Sequence, residues 1–127
     1  MLQPIRTTFL FAASMVMGLA ALMNATAAVP HLHEDLVEIN VRPTLLSAVL
    51  LAMHFTSFAM FAFTLIVLFA AIQSWRGTAT PSMVLAIIAA MYLVFGIFAF
   101  AWSRNLHTLG YGLIGLLIFG SLVTREK

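Results

Sequence analysis

Four histidines carry most of the chemistry open to this chain, which has no cysteine and only six basic and four acidic residues. His54 and Ser57 stand one helical turn apart in a stretch with no charge between Arg42 and Arg76. An imidazole and a hydroxyl so placed can hydrogen-bond across a helix bundle, orient a small molecule or quinone, or offer a ring nitrogen to a metal or tetrapyrrole. His107 and Tyr111, also one turn apart, fit either a polar binding pair or simple anchoring at a membrane–water boundary. His31, His33 and Glu34, followed by Asp35 and Glu38, are residue types that bind Zn²⁺ or Cu²⁺. They equally fit a solvated, partly helical loop in which Leu32, Leu36 and Ile39 share a face resting on lipid headgroups.

Other chemistry is missing. The chain carries no nucleophile–base–orienter set, no phosphate-binding glycine loop and no paired carboxylates, so a non-enzymatic protein without a resident cofactor is expected. No Asp, Glu, Lys or Arg falls within an apolar run, which removes the usual means of proton- or ion-coupled transport. A tetrapyrrole on His54 would meet Leu50, Leu51, Phe55 and Phe58. His107, the nearest second axial ligand in kind, is expected ~10 Å away in depth.

The elements that must position these residues follow from solvent. Of 127 residues, 63% are hydrophobic and 8% charged, with mean hydropathy +1.08, whereas soluble domains carry about 25% charged residues. A net charge of +2 is too small for a nucleic-acid surface, so nucleic acid is excluded as a partner and the lipid bilayer is expected. A helix needs about 20 apolar residues to cross hydrocarbon. Four runs meet that requirement, at residues 7–29, 44–72, 82–102 and 106–123. The expected fold class is therefore all-α, an integral membrane antiparallel bundle of four transmembrane helices forming one domain. Pro30, Pro43 and Pro81 mark the breaks between runs.

Arg6, Arg76, Arg125 and Lys127 fall on one side of such a bundle, and Arg42 and Arg104 on the other. By the positive-inside rule both termini are expected on the cytoplasmic side of a cell membrane. Ala25–Thr26–Ala27 near the end of the first run also resembles a signal-peptidase site, but the run exceeds a signal core, so a retained helix is expected. Small and hydroxylated residues mark seams where helices approach: Thr7, Ser14, Gly18, Ala21, Ala25 and Ala28 in the first run, and Ser47, His54, Ser57 and Thr64 in the second. The third offers Ser82, Ala86, Ala89, Ala90 and Gly96, and the fourth Thr108, Gly112 and Gly115.

Met53–His54–Phe55–Thr56–Ser57, Arg42–Pro43, and the run from His107 to Leu117 together resemble small bacterial four-helix membrane proteins of unknown function. Those proteins carry Trp-His-x-x-Ser in the second helix and a glycine- and leucine-rich fourth helix. Methionine stands here in place of the tryptophan. The resemblance implies a recurring polar centre at His54 and Ser57 and brings no activity with it. Two functions are expected to compete: an accessory or scaffold subunit associating through helix faces with a larger complex or another copy, and a bundle that binds a ligand, quinone or cofactor at His54.

Single cysteines at Gly77 and Asn105 should react with an impermeant maleimide from opposite sides of the membrane, Asn105 from outside. Labelling from one side would contradict the four-span reading.

Overall fold

The computed structural model describes residues 2–124, the side chains of Leu2 and His107 excepted. All regular structure among them is helical. Helix α1 (Leu2–Met23) passes through a π-helical turn, Asn24–Ala28, into α2 (Val29–Glu38), so that Gln3–Glu38 is a single rod of 36 residues. Helix α3 (Pro43–Trp75) has 33 residues and α4 (Ser82–Ser103) has 22. A 3₁₀ turn, Leu106–Thr108, leads into the 15 residues of α5 (Leu109–Val123). The α1–α2 rod, α3 and α4 are long and apolar enough to cross a membrane. Helix α5 alone spans ~22 Å, and the preceding 3₁₀ turn adds ~6 Å, which brings it close to a hydrocarbon thickness.

Pro30 does not end the first helix. A proline there removes one backbone bond and presses on the carbonyl four residues back. The turn just before it is wound more widely, and the Val29 N–H bonds to the Asn24 carbonyl, five residues back. Such a π turn inserts one residue and makes room in the ladder. It also keeps the helix in register with itself. Leu10, Ser14, Met17 and Ala21 are buried at steps of four, three and four, and burial resumes at Val29, eight residues on rather than seven. The His31–Asp35 segment, expected as a loop, is therefore part of α2, with His31, His33, Glu34 and Asp35 exposed and Leu32 half-buried.

The chain forms two compact units. One takes the start of α1 up to Val16 and everything from Leu65 onward; the other is Met17–Thr64. In the first unit four helices pack together. Leu10, Ala13, Val67, Ala70, Leu85, Ala89, Ile114 and Ile118 are buried within it. The second unit is a helical hairpin, turned by Asn40 at a left-handed φ of 57°, a conformation asparagine tolerates better than other side chains.

Glycine sets the α4–α5 distance. A Cβ on Gly96 would collide with the Gly112 amide nitrogen, and one on Gly115 would lie 2.8 Å from both the Ala89 carbonyl oxygen and the Leu93 nitrogen. Helices approach this closely only where side chains are absent, which is how apolar helices gain contact energy in lipid. The sequence seam named Gly18 as well, but a Cβ there would meet Thr64 Cγ2 at an ordinary 3.5 Å. Gly112 takes part through its backbone; a Cβ on it would meet nothing within 4 Å.

Accordingly, Gly115→Ala should lower bundle stability by about 1–3 kcal/mol through overpacking, despite alanine's helix preference. Gly18→Ala should raise stability by up to about 1 kcal/mol. Unfolding by detergent titration, followed by circular dichroism, distinguishes the two.

Candidate functional site

On α3 the inward seam is a run of alternating three- and four-residue steps. Ser57, Met60, Val67, Ala71 and Ser74 are buried, and Met53 and Thr64 are half-buried. His54 follows Met53 by one residue, about 100° around the helix, and is exposed, as is Ser47. The expected seam of Ser47, His54, Ser57 and Thr64 is thus only half inward. His54 makes no hydrogen bond among the described residues. Its exposed neighbours along the helix are Leu51, Phe55 and Phe58, each about three-quarters accessible.

Depth changes too. Counted from the start of α3, His54 lies ~16 Å along the axis, the mid-membrane position expected of it. The helix has 33 residues, however, well beyond the ~20 that cross hydrocarbon, and 21 of its positions separate His54 from Trp75.

Ser57 pairs with a residue that sequence reasoning passed over. Asn24 Nδ2 donates to Ser57 Oγ at 2.8 Å, and Ser57 Oγ donates to the Met53 carbonyl at 3.2 Å. Asn24 begins the π turn. Pairing with α3 inside the hairpin gives its amide a role.

The metal candidates lie on α2. His31 Nε2 approaches Asp35 Oδ2 at 3.7 Å with both side chains exposed, a geometry that contributes little in water. His33 and Glu34 are also exposed. Among the described residues no three His, Cys, Asp or Glu are placed to hold a metal ion.

Tyr111 is half-buried against α4. Its ring stacks on Tyr92 at 6.3 Å and meets Phe95 edge-on at 5.2 Å. The backbone of His107 lies in the 3₁₀ turn, and its side chain falls outside the described residues, so the expected His107–Tyr111 pair does too. The Tyr92 hydroxyl is buried with no hydrogen-bond partner among the described residues, an uncompensated polar group in an apolar interface.

A second polar cluster joins the beginning of α1 to the end of α3. Gln3 Nε2 donates to the Ser74 carbonyl at 2.6 Å, and the Thr7 and Ser74 hydroxyls share a hydrogen bond of 2.8 Å. The connection to α4 turns at Gly77, whose φ of +74° is left-handed. The Thr78 amide and hydroxyl both donate to the Gln73 carbonyl. These groups border a cavity of about 220 Å³ lined by Gln3, Arg6, Ser74, Gly77, Thr78, Ala79, Thr80 and Thr124. A larger hollow of about 570 Å³ is lined by Gln3, Pro4, Thr7 and Trp75. The residues come from segments about 70 positions apart, which is why the cluster was not visible in sequence order.

Comparison of the chain with protein-family models, with curated proteins and with solved structures finds no match. The helices themselves decide the broad class. The chain is a helical membrane protein.

Removing the Asn24–Ser57 bond by Asn24→Ala or Ser57→Ala should cost about 0.6–2 kcal/mol, with the double variant no worse than the larger single effect. Tyr92→Phe should instead be neutral or stabilise by about 1 kcal/mol, because it deletes an unsatisfied hydroxyl. Unfolding titrations of the four variants read both.

Proposed function

We propose that the chain is a non-enzymatic accessory or scaffold subunit of a bacterial inner membrane, with both termini cytoplasmic, which associates laterally through the outward face of α3. The observation that carries this reading is the length and exposure of that helix. At ~50 Å it exceeds the ~30 Å hydrocarbon core by about 20 Å. With Trp75 as its interfacial anchor, the overhang falls at the Pro43 end. On the α1–α2 rod the excess length is polar, carrying His31, His33, Glu34, Asp35 and Glu38. On α3 it is apolar, with Leu45 and Leu51 exposed.

Thr44, Ala48, Leu51, Phe55, Phe58 and Ala62 are all exposed and follow one another at steps of four, three, four, three and four. This is the same spacing as the inward seam, on the opposite side, with His54 flanking it. A continuous apolar stripe that leaves hydrocarbon calls for protein to cover it, and an imidazole at its edge supplies a directional contact. The competing ligand reading would need a pocket around His54. Neither cavity described above is lined by His54.

Because His54 has no hydrogen-bond partner among the described residues, His54→Leu should leave the stability of the isolated protein within about 0.5 kcal/mol of wild type, and Phe55→Ala with Phe58→Ala should do likewise. In blue-native gels of gently solubilised membranes, all three substitutions together should shift the protein from a larger species to the monomer. A stoichiometric chromophore or quinone in the wild type, lost in both His54→Gln and His54→Leu, would contradict this reading and favour the ligand-binding one.

A further inference from the structure

The sequence motif that the α3 reading leaves unused is the histidine and carboxylate run of α2. On one side of that helix Val29 is buried and Leu32 and Leu36 are half-buried. His31, Glu34, Asp35 and Glu38 are all exposed, and steps of three, one and three residues put them together on the other side. His33 stands about 200° around the helix from His31 and is apart from this stripe. Side chains of this polarity belong outside hydrocarbon, so the stripe is open to water and to whatever water carries.

Two atoms of the stripe stand at a chelating distance. His31 Nε2 and Asp35 Oδ2 are 3.7 Å apart, wider than the ~3.2 Å limit of a good N–H···O hydrogen bond. Zinc binds an imidazole nitrogen and a carboxylate oxygen at about 2.1 Å each, and two such bonds at a tetrahedral angle leave the ligand atoms ~3.4 Å apart. The pair is therefore too wide to satisfy itself and within a few tenths of an ångström of what zinc asks of two ligands. Ligands one helical turn apart are also the spacing by which a single helix grips zinc. A closed zinc site has four protein ligands, and among the described residues no third one joins the pair. The other two must come from outside the chain.

A bilayer holds every copy of this chain at one depth and in one direction, so the His31 and Asp35 pairs of neighbouring copies stand at the same height. A two-fold axis between two copies turns a pair of ligands into four. Glu34, Asp35 and Glu38 make the close approach of two such stripes unfavourable unless a cation lies between them. We propose that two copies of this chain are bridged by one Zn²⁺, held by His31 Nε2 and an Asp35 carboxylate oxygen of each. The bridge uses α2 and not the outward face of α3, so it stands independently of association there.

The test takes the full chain, stripped of metal with a chelator, in mild detergent with added phospholipid. Zn²⁺ is titrated in while analytical ultracentrifugation reads the protein mass and elemental analysis counts the bound metal. The bridge predicts one zinc per two chains and a doubling of mass, both reversed by chelator. Mg²⁺ should not replace zinc, because it prefers oxygen ligands to imidazole. Both side chains are exposed, so His31→Ala and Asp35→Asn should fold as the wild type does, and each should lose the zinc-dependent doubling. His33→Ala should keep it. Absence of zinc uptake, or uptake with no change in mass, would overturn the bridge whatever association the α3 face provides. Zinc-dependent doubling that survives His31→Ala would overturn these ligands.

Discussion

Lipid gives a peptide backbone nothing to hydrogen-bond with and gives apolar side chains no reason to leave it. Every helix here must therefore close its own ladder, and helices are held together by contact rather than by escape from water. The first requirement explains why the rod from Gln3 to Glu38 rewinds as a π turn before Pro30 instead of breaking. The second explains the bare crossing of α4 on α5, where Gly96 and Gly115 put backbone against backbone. Hydroxyls follow the same logic. Ser14, Thr64 and Ser121 return their protons to carbonyls of their own helix, which satisfies them at little cost and leaves the seams to be decided by shape.

Among the described residues, side-chain polar contacts between different helices gather at two places. Asn24 meets Ser57 at the π turn, while Gln3 and Thr7 meet Ser74 where α1 begins. These points fix the lengthwise position of α1 against α3 within each unit, which a seam of small residues alone would leave free to slide. What remains outward is a long apolar stripe on α3 and a hydroxyl-lined cavity near Trp75. The apolar stripe is the surface on which the proposed lateral association rests.

Much of the fold was legible because charges and prolines punctuate the sequence. Pro43 opens α3 and Pro81 precedes α4, as their chemistry suggests, and the small residues of the fourth run do face a neighbour. Pro30 misled, because a proline reads as a stop and a π turn has no sequence signature. The orientation of α3 was hidden for a different reason. Its lipid side is as apolar as its packed side, so hydropathy has no direction to report, and polar residues were taken as the guide. Ser57 and Thr64 followed that guide; Ser47 and His54 did not. The cluster of Gln3, Ser74 and Thr80 escaped notice because contact, not proximity in sequence, assembles it.

The direction that α3 faces is the claim on which the rest turns, and spin labels scanned singly from Leu51 to Thr64, in nanodiscs holding one copy each, measure it directly. Collision with dissolved oxygen should rise and fall with helical period, highest at Leu51, Phe55, Phe58 and Ala62 and lowest at Met53, Ser57, Met60 and Thr64. The position of His54 should lie on the accessible side. A profile of opposite phase, with His54 at a minimum beside Ser57, would place the imidazole inside the bundle and contradict this account.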